Sequence, residues 1–187
     1  MINVEVKCTG DDLVEKALAT MPKKVKKAAS MSVNKTARST RTLMARSASK
    51  TYFVTVGNAR KTINVTKKAG GDDLTAEVVS RGRPISLAKF KVNPLKVQHK
   101  GSKNRKLRVR VKRGSAGERL GRAFTMAIGS GVGVFERTGR ARFPVRKLFG
   151  PAVPSMLKDE NIQDTIKKTA SEKLNAELDR QIRRILK

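Results

Sequence analysis

Apolar and polar residues alternate through Ile2-Asn3-Val4-Glu5-Val6, the period of a strand with one buried face. Thr9 and Asp12 resemble a capping box with Asp in the acidic position, opening a short helix through Leu13, Val14, Ala17 and Leu18. Pro22 suits the first turn of a second, longer helix running to about Lys50. Its inner face is expected at Val25, Ala29, Ser32, Thr36, Leu43 and Ser47, with Val33 and Met44 alongside. Small residues dominate that face, so another helix or strand can approach closely. Lys23, Lys24, Lys26, Lys27, Arg38 and Arg41 surround it, as a solvated basic helix would require or as a dedicated anion site would. Tyr52-Phe53-Val54-Thr55-Val56 has strand composition, broken at Gly57-Asn58, and a short helix around Asn58 to Ile63 is an option. Ile63-Asn64-Val65-Thr66 and Leu74-Thr75-Ala76-Glu77-Val78-Val79 read as strands joined by a turn at Gly70-Gly71-Asp72.

The pattern changes at Leu95. The stretch from Gln98 to Arg105 has turn composition and no apolar residue, as expected of a loop tip. Lys106-Leu107-Arg108-Val109-Arg110-Val111-Lys112 then alternates strictly. On a strand, Leu107, Val109 and Val111 face one way and the four cations the other, with same-face neighbours about 6.5–7 Å apart. Such a row repels itself unless phosphate or carboxylate lies opposite, or unless it is a solvated edge strand guarded by charge. Ala123 to Ile128 and Val132 to Phe135 form a hairpin across Gly129-Ser130-Gly131. Gly129, Gly131 and Gly133 do not make a phosphate loop, because no helix opens after them and the spacing misses the dinucleotide fingerprint. At the end of the chain Ile162, Ile166, Ala170, Leu174, Leu178, Ile182 and Leu186 recur every four residues, with Ile185 widening the stripe. Asp159 and Glu160 at the start of this helix, and Arg183, Arg184 and Lys187 at its end, match its macrodipole. Four-residue spacing drifts around a helix of 3.6 residues per turn, so the stripe winds.

Charge alters this picture. The 187 residues carry 43 Lys and Arg against 15 Asp and Glu, a formal net charge of +28. Residues 81–147 hold 20 basic and 2 acidic side chains, a net of +18, while 1–80 and 148–187 carry +8 and +2. That excess implies an anionic partner: nucleic acid or an acidic protein surface, with no membrane partner expected, since no apolar run approaches the length of a spanning helix. The first residues lack a basic region followed by an apolar one, so no signal peptide is expected. Cys8 and His99 stand alone of their kind, which leaves no disulfide, no His/Cys metal cluster and no triad. A nuclease would need convergent carboxylates, and residues 81–147 offer only Glu118 and Glu136. No enzyme activity and no cofactor are expected.

Between the hairpin and the last helix, Phe135-Glu136-Arg137-Thr138-Gly139 leads through Arg140-Ala141-Arg142 into Phe143-Pro144-Val145-Arg146-Lys147-Leu148-Phe149-Gly150-Pro151 and Val153-Pro154. Three prolines and two glycines forbid a regular element, yet seven apolar side chains need burial, so this is an ordered crossing. Phe149-Gly150-Pro151 is expected to be buried, and Phe149→Ala to cost about 3–5 kcal/mol. These motifs, in this order, resemble the signature of the phage minor tail protein Z family, tail-completion proteins of long-tailed bacteriophages. Asn34-Lys35-Thr36-Ala37 within the long helix and the chain length also fit. The resemblance marks Phe135, Arg137, Thr138, Gly139, Pro144, Arg146, Phe149, Gly150, Pro151 and Pro154 as motif or interface residues. It implies a virion protein, made in the host cytoplasm and placed at the head-proximal end of a tail. There the tail terminator and the tail tube are its expected neighbours, with the tape measure or DNA in the lumen. It also implies a homo-oligomeric ring, a hexamer matching a sixfold tube.

The expected architecture is α+β, one domain over 1–187, with an antiparallel sheet packed by the long N-terminal and C-terminal helices. Residues 91–113 would project as a basic hairpin. Lys100, Lys103, Arg105, Lys106, Arg108, Arg110, Lys112 and Arg113 are the candidate contacts to DNA or to an acidic partner. Residues 91–123 contain no aromatic, which favours backbone electrostatics over base readout. A free-standing nucleic-acid-binding protein that ignores sequence is the alternative from a different functional class.

Overall fold

Among the described residues the chain forms two long helices and eleven short strands. The computed structural model describes residues 2–6, 23–71, 73–96, 107–129 and 131–185. In chain order the strands are β1 (Ile2–Val6), β2 (Ile63–Lys67), β3 (Ala76–Ser80), β4 (Ile85–Ser86), β5 (Lys91–Asn93), β6 (Leu107–Arg110), β7 (Glu118–Leu120), β8 (Ala123–Ile128), β9 (Gly131–Arg137), β10 (Val145–Lys147) and β11 (Phe149–Gly150). The helices are α1 (Lys23–Thr51), α2 (Val56–Arg60), α3 (Val153–Met156) and α4 (Glu160–Ile185). The fold is α+β, but the strands divide among four small antiparallel sheets, in the orders β1-β3-β2, β10-β9-β8, β11-β4 and β5-β6-β7.

Helix α1 is the centre of the packing. Ser32, Val33, Thr36, Ala37, Thr40, Met44, Ala45 and Ala48 are buried along it. The buried face is therefore rotated from the expected one: Ser32 and Thr36 lie on it, Val33 and Met44 are central to it, and Val25, Ala29, Leu43 and Ser47 are only half-buried. Side chains this small let α4 pack close and antiparallel. Ser39 accepts a hydrogen bond from Lys173 at 2.9 Å, and one helical turn away Lys35 pairs with Glu177 at 2.9 Å. Ile162, Ile166, Ala170 and Leu174 of the four-residue stripe are buried, while Leu178 is half-buried. The other side of α1 packs on β2 and β3. Met44, Ile63, Val78, Leu107, Val134, Met156 and Leu157 fill the shared core, each fully buried side chain contributing about 1.5–3 kcal/mol.

Two expectations fail. Tyr52 to Val56 is not a strand: only Tyr52 bridges, to Lys112, and α2 begins at Val56. The Thr55 hydroxyl accepts from the Asn58 amide at 3.3 Å and caps α2, so the local side-chain bond outcompetes strand propensity. In the crossing segment Phe143 is 63% exposed and Phe149 54% exposed. Neither is buried: Phe143 lies in the exposed loop before β10 and Phe149 on β11 faces outward, while Val153, Pro154, Met156 and Leu157 fill the core. The helix expected near Leu13 to Leu18 and the tip from Gln98 to Arg105 lie outside the described residues.

Candidate functional site

The motif segment builds a closed loop. Phe135 on β9 is buried opposite Phe124 on β8, their ring centroids 6.3 Å apart, and the Arg137 guanidinium lies 5.4 Å from the Phe124 ring centre. At the strand end Thr138 donates to the Pro144 carbonyl twice, from its amide at 3.3 Å and from its hydroxyl at 3.0 Å. Those two bonds pinch off Gly139 to Phe143, all of them exposed. Arg146 on β10 grips Glu136 on β9 with two charge-assisted bonds to the one oxygen Oε2, from Nη2 at 2.7 Å and from Nε at 3.0 Å. Beyond β10, the Leu148 amide donates to the Val134 carbonyl and its own carbonyl accepts from the Leu87 amide, so the crossing is tied on both sides. Gly150 then lies against the Phe90 ring, where a Cβ would come within 2.6 Å of Cε2. The loop presents Arg140, Arg142 and Phe143 outward, with Arg142 5.7 Å from the Phe143 ring centre.

A second constellation lies on the sheet β5-β6-β7. Lys91 stands opposite Arg110, Asn93 opposite Arg108, and Arg108 opposite Arg119. Directly opposed residues of an antiparallel pair share a face, so Lys91, Asn93, Arg108, Arg110 and Arg119 form one face with no acid on it. Val92, Leu107, Val109, Leu120 and the exposed Glu118 form the other, and the first three are buried in the core. Gly117 is what lets the arginines lie down. At φ 81° it adopts the left-handed backbone, and a Cβ there would meet Arg110 Cγ at 2.6 Å and Arg108 Cγ at 3.3 Å. The aliphatic stems of both arginines pack over this glycine, half-buried, while Lys91 and Arg119 are exposed.

The chain beyond β6 anchors this face. Phe53 N donates to the Val111 carbonyl at 2.8 Å and Arg113 N to the Thr51 carbonyl at 2.7 Å. Arg113 Nε donates to the Ser49 carbonyl at 2.9 Å, satisfying the C-terminal turn of α1, and its guanidinium lies 4.6 Å from the Phe53 ring centre. Lys112 pairs with Asp159 at 2.9 Å. That hydrogen bond, together with the amides of Asn161 and Ile162 at the start of α4, holds the Asp159 carboxyl below its usual range.

A family model described as prophage minor tail protein Z matches residues 12–187. The chain belongs to that family. No curated protein and no solved structure matches it. Family membership makes it a phage minor tail structural protein, a component of the virion tail that works among other tail components. Among the described residues no helix is long and apolar enough to cross a membrane, and no three His, Cys, Asp or Glu side chains are placed to hold a metal ion.

The candidate contacts fall into three groups. Arg108 and Arg110 are brought together on one face, as the alternation suggests, but β6 is a central strand and not a solvated edge. Lys112 and Arg113 are engaged within the chain, with Asp159, Ser49 and Phe53. Lys100, Lys103, Arg105 and Lys106 lie outside the described residues, so β5 and β6 pair as a hairpin requires while its tip is not described. Lys91 and Arg119 escape a reading of the sequence, because Lys91-Val92-Asn93 and Glu118-Arg119-Leu120 are too short for alternation to stand out. Of the motif residues, Phe135, Gly150 and Pro154 pack internally, Thr138, Pro144 and Arg146 close the loop and its strands, and Gly139 and Phe149 are exposed.

Proposed function

We propose that this minor tail protein completes the head-proximal end of the tail as a subunit of a homo-oligomeric ring, a hexamer on a sixfold tube. In that ring the acid-free face of β5-β6-β7 meets DNA phosphates in the lumen or an acidic neighbour. The observation that carries the reading is the register that sets Lys91, Arg108, Arg110 and Arg119 on one face without a counter-charge. The sequence between β5 and β6 carries Lys100, Lys103, Arg105 and Lys106 and no acid. Family membership favours a particle component over a free-standing nucleic-acid-binding factor. The exposed Phe143 and Phe149 on the motif segment suit contact with a neighbouring tail protein, terminator, tube or tape measure, since aromatic side chains are enriched in such interfaces. No reaction is assigned to the protein.

The test is Arg108→Glu with Arg119→Glu, a directly opposed pair on the outer face. The double variant should keep its melting temperature and lose tail completion or the placement of the DNA end. Particles that assemble, join heads and deliver DNA normally would remove the basis of the proposal. Purified particles in which the protein is present as a single copy would remove the ring.

A further inference from the structure

A second basic surface, on different elements, has the form of a binding groove. Lys23, Lys27, Asn34, Arg38 and Arg41 recur along α1 at spacings of four, seven, four and three, which place them within an arc of about 60° at 100° per residue. From Lys23 to Arg41 that stripe runs about 27 Å along the helix. The segment from Arg60 to Gly71 forms the opposite wall. Between the walls lie two cavities, of about 470 and 350 Å³, which adjoin at Asn34. The smaller one is lined by Arg38, Arg41, Arg60 and Lys68, with Asn34, Asn64 and Val65 and no acid.

The walls are tied together before any ligand arrives. Asn34 donates to the Ala69 carbonyl at 2.8 Å and accepts from the Ala69 amide at 2.9 Å. Arg41 Nε donates to the Ile63 carbonyl at 2.6 Å, and its Nη2 reaches the Arg60 carbonyl at 3.3 Å and Asn64 Oδ1 at 3.5 Å. Arg38, Arg60 and Lys68 are exposed, and among the described residues none of them has a carboxylate partner. Four cations held in one cleft repel one another, and that repulsion falls only when an anion enters. Preorganised walls reduce the ordering cost of binding.

We propose that this groove holds the phosphodiester backbone of a nucleic acid, with Arg38, Arg60 and Lys68 contacting phosphates and Arg41 and Asn34 positioning the walls. One carboxylate would not match four cations, and Val65 in the smaller cavity and Met31 in the larger are the apolar side chains lining the groove, too little for the apolar centre of a protein interface. Polar, strongly positive surfaces that follow a line suit a phosphate chain. This inference does not rest on where the protein sits in the particle.

The experiment uses the purified full chain and a fluorescein-labelled duplex of random sequence, with anisotropy titrations from 50 to 200 mM salt. Arg38→Gln, Arg60→Gln and Lys68→Gln together should shallow the log–log salt slope by about 2.7, at about 0.9 per phosphate contact. The wild-type advantage should therefore shrink about 40-fold across that range. Should the triple variant melt early, Arg60→Gln and Lys68→Gln singly should each remove about 0.9 of slope. An unchanged slope overturns the proposal, as does weakened binding to a labelled polyglutamate peptide with duplex binding intact, which would assign the groove to an acidic protein. Arg108→Glu with Arg119→Glu is the parallel control: loss of DNA binding in that variant alone leaves the sheet face and rejects the groove.

Discussion

Gly150→Ala tests whether the motif segment is held by close approach of backbone to ring. Gly150 is paired with Ile85 across β11 and β4, and Phe90 is 6% exposed. An added Cβ would lie 2.6 Å from Cε2, 3.0 Å from Cζ and 3.3 Å from Cδ2 of that ring. Carbon atoms rest about 3.5–4.0 Å apart, so the ring must retreat by about 1 Å or the strand must open. Because Phe90 is packed in the core, neither adjustment is free, and overpacking of this kind costs about 1–3 kcal/mol. For a chain of this length each kcal/mol lowers the melting temperature by about 2–4 °C. Calorimetry or circular dichroism of Gly150→Ala should show that loss. Phe90→Leu should itself destabilise, yet it should relieve most of the added cost in the double variant, since the methyl then has room. A Gly150→Ala protein that melts with wild type, or a penalty that persists unchanged in the Phe90→Leu background, would show that the ring contact does not constrain this glycine.

Three further outcomes can be checked on the same purified protein. Met44→Ala, at a fully buried position, should cost about 2–5 kcal/mol in denaturant titration. Thr138→Val removes one of the two bonds to the Pro144 carbonyl and should cost about 0.5–1.5 kcal/mol, with faster proteolysis of the loop. The Glu177 carboxyl is pushed up by burial but drawn down further by hydrogen bonds from Lys35, Gln181 and Arg180, to about 2. Its folded pKa lies below its unfolded one, so its stabilisation is present above about pH 4.5 and is lost as pH falls towards about 2; acid melts of wild type and Glu177→Gln should converge over that window.

The helices are legible in the sequence because their periodicity extends over many turns. The inner face of α1 is displaced from its expected position because Ala28, Ala37, Ala45 and Ala48 are hardly more apolar than the serines and threonines beside them. On such a helix only the partner decides which stripe is covered. The hairpin of β8 and β9 is legible from its glycine punctuation. Phe149 departs from expectation for a different reason: an aromatic ring among prolines suggests the core, whereas the space at that strand pair is taken by Phe90, admitted by the missing side chain of Gly150. With the ring 54% exposed, Phe149→Ala should cost about 1 kcal/mol, well below the value for a buried Phe. The basic face of β5-β6-β7 is half legible. Arg108 and Arg110 follow from alternation within one strand, while Lys91 and Arg119 join them only through cross-strand register.

That register also bears on what the charge is for. Wherever this chain needs a cation merely to be stable, it gives it a partner: Arg146 has Glu136 across the strand pair, Lys112 has Asp159, and Arg113 has the last turn of α1. Facing strands can therefore place an acid opposite an arginine in this fold, and β9 and β10 do so. On β5, β6 and β7 the opposed pairs are Lys91 with Arg110 and Arg108 with Arg119. Like charges directly opposite are destabilising. A face that served only solubility would mix signs, as soluble surfaces do. Two like-charged pairs share one small sheet, with Gly117 kept free of a side chain so that both arginine stems can lie over it. An anion laid across the face would remove the repulsion and gain the attraction, and this is what supports the proposed binding role over a solvated one.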